Sequence, residues 1–372
     1  MRIVFAGGGT GGHFYPILAL IRELKRIAEA ERIVDLQLFF MSPSNPDEDI
    51  LREEGVVLVR VASGKWRRYW SLINFFDVFR LVGGIGQALW NMYLIMPDVV
   101  FSKGGYGALP AVIAAIIFRI PLVIHESDAV PGRVNMLAAR FASRIGTAFK
   151  NAASSFPAQK TALIGVPLRR WIFGGDRREA RERLDIFSPL PVVGFIGGSQ
   201  GAEKLNEALI GVLKELTDEF EVVHQTGINH YEEVSQETHV IMEFGNKERY
   251  HPFGFFDEQA MRDFYMACDL IISRAGSSSI YEIAAWRKPS IVVPLKNAAQ
   301  DHQRKNAYEY AASGAARIIE ESNLTPHILL GEIKKLFQDQ AGMERMARAA
   351  EHFARVDAAE VIAREILKLG MH

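Results

Sequence analysis

Two similar α/β halves, each a parallel sheet with helices on both faces, are what this 372-residue sequence predicts. Two glycine-rich turns about half a chain apart carry most of that reading. The first follows the apolar run Arg2-Ile3-Val4-Phe5-Ala6 and reads Gly7-Gly8-Gly9-Thr10-Gly11-Gly12-His13. The second follows Val192-Val193-Gly194-Phe195-Ile196 and reads Gly197-Gly198-Ser199-Gln200-Gly201-Ala202. Each turn opens a helical pattern, Ile17-Leu20-Ile21-Leu24 and Leu205-Ala208-Leu209-Val212. Glycine lets backbone N–H groups approach a ligand closely, and the helix start that follows favours negative charge. One such loop is a weak signal. Two at matching places suggest paired nucleotide-type domains with a cleft between them, and hence group transfer.

Strand–helix alternation is the other support. Leu36 to Phe40, Val56 to Val61, Asp98 to Phe101, Pro121 to Ile124 and Ala162 to Ile164 read as strands of the first half. Val222 to Gln225, Asp269 to Ile272 and Ser290 to Val293 continue the second. Near-continuous Val/Ile strands separated by helices imply parallel sheets covered on both faces. Gly165-Val166-Pro167-Leu168-Arg169-Arg170 breaks the pattern and marks the crossover. The expected domains are therefore 1–165 and 166–350. A terminal helix over 357–369, with a capping-box-like start at Asp357-Ala358-Ala359-Glu360, is expected to pack back on the first.

Composition narrows the function classes. Apolar content of 49% and charged content of 23% are those of an ordinary soluble protein. A net charge of −1 supplies no global basic field, so nucleic acid is not an expected partner. The single Cys268 excludes an internal disulfide and sits in a core-like context. The N-terminal run reads as a strand rather than a signal peptide. No apolar stretch reaches the roughly 20 residues of a spanning helix: Ala108 to Phe118 is closed by Arg119, and Leu81 to Met96 is broken by glycines, Gln87 and Asn91.

On parallel sheets, ligands sit at the carboxyl ends of the strands, so the residues just after each strand hold the chemistry. His13, on the first turn after the first glycine loop, is expected to be neutral near pH 7 and able to accept a proton. His125-Glu126-Ser127-Asp128, followed by Pro131-Gly132 and Asn135, leaves another strand end. Glu126 and Asp128 compete with His13 as the base, while His125 and Glu126 are also expected to scaffold their loop. Ser273-Arg274-Ala275-Gly276-Ser277-Ser278-Ser279-Ile280-Tyr281-Glu282 places hydroxyls at a helix start, which suits a diphosphate, with Glu282 able to accept ribose hydroxyls. Asp301-His302-Gln303 offers two metal-ligating types but no third at ligand spacing, so no metal is expected, and Gln303 reads as a sugar-hydroxyl contact.

Lys65-Trp66-Arg67-Arg68-Tyr69-Trp70-Ser71-Leu72-Ile73-Asn74-Phe75-Phe76 interleaves cations with aromatic and aliphatic residues. Such a segment either meets anionic headgroups with its apolar side in lipid, or is a core helix with a basic edge. Membrane contact is expected of Lys65, Trp66, Arg67, Arg68, Trp70, Phe75 and Phe76.

Taken together, Gly8 to His13, Gly104-Gly105-Tyr106, His125 to Asp128 with Pro131-Gly132 and Asn135, Gly197 to Ala202, Arg274 to Glu282, and Asp301-His302-Gln303 with Asn306-Ala307 resemble, in order, the MurG family of bacterial N-acetylglucosaminyltransferases. The resemblance spans Met1 to about Ala316. It implies a GT-B fold of two Rossmann-like domains and inverting transfer of N-acetylglucosamine from its UDP conjugate. The implied acceptor is the C4 hydroxyl of undecaprenyl-diphospho-N-acetylmuramoyl-pentapeptide (lipid I), the product is lipid II, and no cofactor is needed. It further implies that Thr10, Gly11 and Gly12 with Asp128 meet the donor. Arg169, Ser199, Gln200, Phe256 (through its backbone), Arg274, Ser277, Ser278, Ser279, Ile280, Tyr281, Glu282 and Gln303 would hold UDP and sugar, and Tyr106, His125 and Asn135 complete the substrate-binding set. The setting implied is the cytoplasmic face of the bacterial inner membrane, with anionic lipids and cell-wall synthesis proteins as partners, in peptidoglycan synthesis, cell shape and division. A relative glycosylating diacylglycerol or a sterol, and a non-catalytic nucleotide-sugar-binding scaffold, are the alternatives.

Overall fold

The computed structural model describes the chain apart from residues 9–10, 34, 44–46, 65–71, 171–172, 198–201 and 372, and describes no side chain at 11 or 72–76. It divides into two compact units, Met1–Arg169 with Val356–His372, and Arg170–Arg355.

Unit 1 is built on seven parallel strands: β1 (Arg2–Ala6), β2 (Gln37–Ser42), β3 (Val56–Arg60), β4 (Val99–Ser102), β5 (Leu122–Glu126), β6 (Arg144–Thr147) and β7 (Thr161–Leu163). They lie in the order β3-β2-β1-β4-β5-β6-β7. One face is packed by Ile17, Leu20, Ile21 and Leu24 of the Gly11–Ala30 helix together with Ile362, Ala363, Ile366 and Leu367 of the Ala358–Gly370 helix. The chain's end thus completes unit 1, and Arg364–Glu31 and Arg144–Glu365 pair across its edges. Asp357 stands at that helix's start but makes no capping hydrogen bond through its side chain, so the expected capping box does not form. The other face is covered by the Leu72–Ile95 and Leu109–Phe118 helices, whose Ala88, Met92, Ala111 and Ala115 share one core with Val4, Val100 and Ile124.

Unit 2 repeats the plan with β8 (Val192–Ile196), β9 (Glu221–Gln225), β10 (Tyr250–Phe253), β11 (Leu270–Arg274), β12 (Ser290–Val293) and β13 (Ala316–Ile318). Its order is β10-β9-β8-β11-β12-β13, again all parallel. Cys268 is buried at the end of the Glu258–Ala267 helix, and burial pushes its thiol pKa well up.

In both sheets the strand order reverses beside the strand that feeds a glycine loop: between β1 and β4, and between β8 and β11. Such switch points open a crevice at the carboxyl ends of the strands. Register matches too. Ala6, just before the first loop, pairs with Ser102, and Ile196, just before the second, pairs with Ser273.

Candidate active site

At the switch point of unit 1, three loops converge. His13 extends from the first turn of the Gly11–Ala30 helix, and its Nδ1 lies 3.1 Å from the Gly8 carbonyl. A carbonyl only accepts, so Nδ1 carries the proton, and in the neutral ring Nε2 is the basic nitrogen. The loop after β4 makes room for this. Gly105 has φ +75°, and a Cβ there would stand 2.8 Å from His13 Cε1. At Gly104, φ +82°, a Cβ would stand 2.7 Å from the Asn135 amide. Both positions therefore require glycine twice over, for backbone sign and for space.

The loop after β5 is organised around Glu126. Its Oε2 accepts from the Gly132 amide (2.8 Å) and from Asn135 Nδ2 (2.9 Å), and its Oε1 from the Asp128 amide (3.2 Å). Burial pushes the Glu126 carboxyl above its usual range, and the neighbouring Asp128 charge adds to that, although the amide donors pull the other way. Both oxygens are engaged within the loop, so Glu126 holds the turn. Asp128 is only half-buried and is the carboxylate this loop presents.

His125 is fully buried: its Nε2 donates to the Gly165 carbonyl at 2.7 Å, and its Nδ1 accepts from Lys103 Nζ at 2.6 Å, as the scaffold role expected of it requires. Burial, with the Lys103 charge beside it, pushes its pKa far down and keeps the ring neutral. Asn135 is likewise buried and supports the loop from inside. Tyr106 is half-buried at the rim, its carbonyl held by Ser63 Oγ at 2.7 Å. Arg169 stacks its guanidinium over the Tyr15 ring at 4.7 Å.

At the switch point of unit 2, the strand end β11 runs into the Ser277–Ala285 helix through Gly276. Ser277, Ser278 and Ser279 are half-buried on its first turn, where backbone N–H groups have no partner within the helix. Ile280 and Tyr281 turn their side chains into the core, Tyr281 against the Phe353 ring, so a ligand at this helix start meets only their backbone. Glu282 is half-buried, and its Oε2 accepts from Tyr265 at 2.9 Å. Tyr265 in turn stacks on Trp286. Phe256 is buried between Phe253 and Phe264, which leaves its backbone as the available group. Arg274 is buried, with Nη2 2.6 Å from Glu321 Oε1. Burial pushes Glu321 upward, but the Lys296 amide and the Arg274 guanidinium outweigh it and hold the carboxyl below its usual range. Asn306 donates to the Ala275 carbonyl at 3.2 Å, and Gln303 accepts from the Leu295 amide at 3.1 Å. That bond orients the Gln303 side chain with its NH2 group directed away from Leu295.

Thr10, Ser199, Gln200, Lys65, Trp66, Arg67, Arg68 and Trp70 lie outside the described residues, as do the side chains of Phe75 and Phe76. Two buried groups escaped the sequence reading. Lys103 had a signal, a cation one residue past a strand end and directly before Gly-Gly. Glu321 had none, being far along the chain from the arginine it pairs with.

Known proteins share this plan. The glycosyltransferase family 28 N-terminal domain matches residues 3–147 and its C-terminal domain residues 192–362. A UDP-N-acetylglucosamine--N-acetylmuramyl-(pentapeptide) pyrophosphoryl-undecaprenol N-acetylglucosamine transferase of Bacillus cereus is 35% identical, over 91% of this chain and 92% of its own. The enzyme of that name from Treponema pallidum is 34% identical over 99% and 96%. Among solved structures, Acinetobacter baumannii MurG superposes with a TM-score of 0.74 at 26% identity, covering 99% of both chains. A UDP complex of Staphylococcus aureus MnaA, at 16% identity and TM-score 0.69, shares the fold alone. The chain belongs to glycosyltransferase family 28, as a GT-B enzyme of the MurG family.

Proposed function

We propose that unit 2 binds UDP-N-acetylglucosamine at the Gly276–Glu282 helix start and that unit 1 activates the acceptor hydroxyl at its own switch point. The reaction is that of the family: N-acetylglucosamine passes to the C4 hydroxyl of the muramoyl sugar of lipid I, with inversion, giving lipid II. The observation that carries the donor assignment is the cluster of three half-buried serines on unpaired helix N–H groups, with Glu282 one turn on. Helix-start amides and hydroxyls stabilise a diphosphate both when bound and as it leaves. Glu282 accepts ribose hydroxyls, and Gln303 donates to the sugar. In unit 1, His13 Nε2 takes the acceptor proton or orients the hydroxyl as it attacks the anomeric carbon, and Asp128 assists in positioning. The direct test is transfer of labelled N-acetylglucosamine from its UDP conjugate to a lipid I analogue, with diacylglycerol as the competing acceptor. Label on diacylglycerol alone overturns the acceptor assignment.

Unit 1 also offers a surface suited to a lipid-linked acceptor. On the Leu72–Ile95 helix, Asp77, Gly84, Ala88 and Met92 face inward, whereas Phe79, Val82, Trp90 and Tyr93 recur at helical spacing on the outward side. Trp90 is 63% exposed and Phe79 61%. A helix apolar on both faces needs a second apolar partner besides the core. Ile117 and Phe118 are exposed at the end of the helix that packs against it, beside the exposed Arg119. No helix among the described residues is long and apolar enough to cross a membrane. The fitting partner is an anionic membrane surface, with Lys65, Arg67 and Arg68 adding about 1 kcal/mol each. Reversing those three charges is expected to abolish flotation with anionic vesicles and leave UDP affinity intact. Unchanged flotation would move the docking surface elsewhere.

A further inference from the structure

Lys103 is 2% exposed, one residue past the C-terminal end of β4. Its ammonium donates to two neutral acceptors, His125 Nδ1 and Ser127 Oγ, each at 2.6 Å. His125 is itself anchored on the Gly165 carbonyl, so the lysine sits between a fixed ring and the Ser127 hydroxyl. Glu126 and Asp128, flanking Ser127, are the carboxylates that act on it, and both favour its charged form. His125 is the imidazole beside it. On the Gly11–Ala30 helix, His13 packs against Gly105, two residues beyond Lys103.

A buried ammonium without a direct carboxylate partner is costly, and an apolar side chain of similar volume would be the more stable choice. Burial lowers the Lys103 pKa to about 7, against the pull of Glu126 and Asp128. Strongly perturbed groups of this kind concentrate where chemistry is done. The geometry shows what this one does. Ser127 Oγ accepts from the ammonium, which fixes the side chain of the residue immediately before Asp128. The positive charge, meanwhile, lies under a loop carrying two carboxylates.

We infer that Lys103 is a positioning residue for glycosyl transfer: through Ser127 it locks the turn that presents Asp128, and it sets a buried cation beside the two carboxylates of that turn. This rests on the reading of that loop as part of the active site. Glu126 accepts from the loop amides and Asp128 stands next to Ser127, so both carboxylates belong to a turn anchored on the same buried cation.

The test uses the full-length enzyme, UDP-N-acetylglucosamine and a lipid I analogue. Lys103→Met is expected to lower kcat by about 10²-fold, the scale of a small misplacement in a site, with little change in the donor KM. Its acid limb in kcat/KM should move to higher pH by about one unit, because a carboxylate that loses a nearby cation binds its proton more tightly. Ser127→Ala should lower kcat with the acid limb unmoved, since the ammonium remains. The double variant should be no slower than Lys103→Met alone. Wild-type kcat in Lys103→Met, an unmoved acid limb, or losses that multiply in the double variant would each overturn the inference. If Lys103→Met fails to fold, as read by circular dichroism, Ser127→Ala decides: an undiminished kcat there refutes the lock. Asp128→Asn separates the two readings. Wild-type transfer by that variant means the loop is not in the site, whereas slow transfer beside an unaffected Lys103→Met means that Lys103 alone was misread.

Discussion

Lys103 and Arg274 occupy equivalent places in the two units. Each follows the serine that pairs with the last residue before a glycine loop, and each precedes the small residues that open the switch-point crevice. Both are buried cations, yet their partners differ. Arg274 has a direct carboxylate in Glu321, while Lys103 touches only an imidazole and a hydroxyl and feels its carboxylates from one residue away. The Arg274–Glu321 pair, with the Glu321 carboxyl held below its usual range, braces the loop that leads into the helix start proposed to hold the donor diphosphate. A lysine lowered to about 7 with neutral partners makes the unit 1 loop sensitive to protons. The same fold thus places an ion-paired cation at one switch point and a cation with neutral partners at the other.

The largest effect that sharpens this contrast is on turnover. His13→Ala removes the basic Nε2 from unit 1 and is expected to lower kcat by about 10²–10⁴-fold, with UDP affinity nearly unchanged. Steady-state transfer and calorimetry on the same preparation measure both. Near-normal turnover would leave Asp128 as the proton acceptor and reduce His13 to a packing partner of Gly105.

Next in size is the frame itself. Arg274→Met removes the guanidinium from the buried Glu321 carboxylate and leaves it the Lys296 amide, and breaking one side of such a pair costs about 3–5 kcal/mol. The loss should appear in urea unfolding followed by a probe in unit 2, and Glu321→Gln made in the same background should recover part of it. A neutral Arg274→Met would mean that solvent reaches Glu321 and that unit 2 has no sealed frame.

How much of this was legible beforehand depends on where each residue's surroundings come from. The glycine loops, Arg274 to Glu282 and His125 to Asp128 could be read because polar and small residues directly after a β-branched run have one structural meaning. The strands missed are those with weak local signals. β6 is interrupted by Gly146, where a Cβ would stand 2.3 Å from Ile164 Cδ1. β10 contains Pro252, tolerated because the strand is at the sheet edge. β13 is only three residues long. Glu126 and Asp128 were indistinguishable as bases in the sequence, since only the folded loop shows one carboxylate filled by amides and the other presented. The burial of Lys103 comes from β5 pairing alongside β4, so a cation beside Gly-Gly looks solvated until the sheet is assembled.

A smaller effect tests the donor side. Glu282→Ala removes a charged acceptor, and UDP-N-acetylglucosamine affinity should fall by about 1.5–3 kcal/mol. Tyr265→Phe serves as the control, because it removes the hydroxyl that donates to Glu282 Oε2 without removing the charge. Unchanged affinity in Glu282→Ala would take the residue out of the donor site and leave the serine-rich helix start to hold the nucleotide by itself.

The smallest effect asks whether unit 2 is as insensitive to protons in its core as its frame suggests. His224, on β9, is buried with Nε2 donating to Asn206 Oδ1 (3.0 Å) and Nδ1 accepting from Tyr250 (2.9 Å). Burial lowers its pKa to about 3, so the native ring stays neutral where an unfolded histidine, near 6.5, takes up a proton. Between those values the unfolded state binds the extra proton, and stability must fall as pH falls. At pH 5 the loss is about 2 kcal/mol relative to neutral pH. His224→Gln should be less stable at pH 7.5 yet lose that share of the slope between pH 6.5 and 5, as measured by denaturant midpoints. His125 has the same sign in unit 1, so part of the slope should persist until it too is replaced. A His224→Gln protein that keeps the full wild-type slope would show that this ring already titrates in the native state, and that the interior under β9 admits protons.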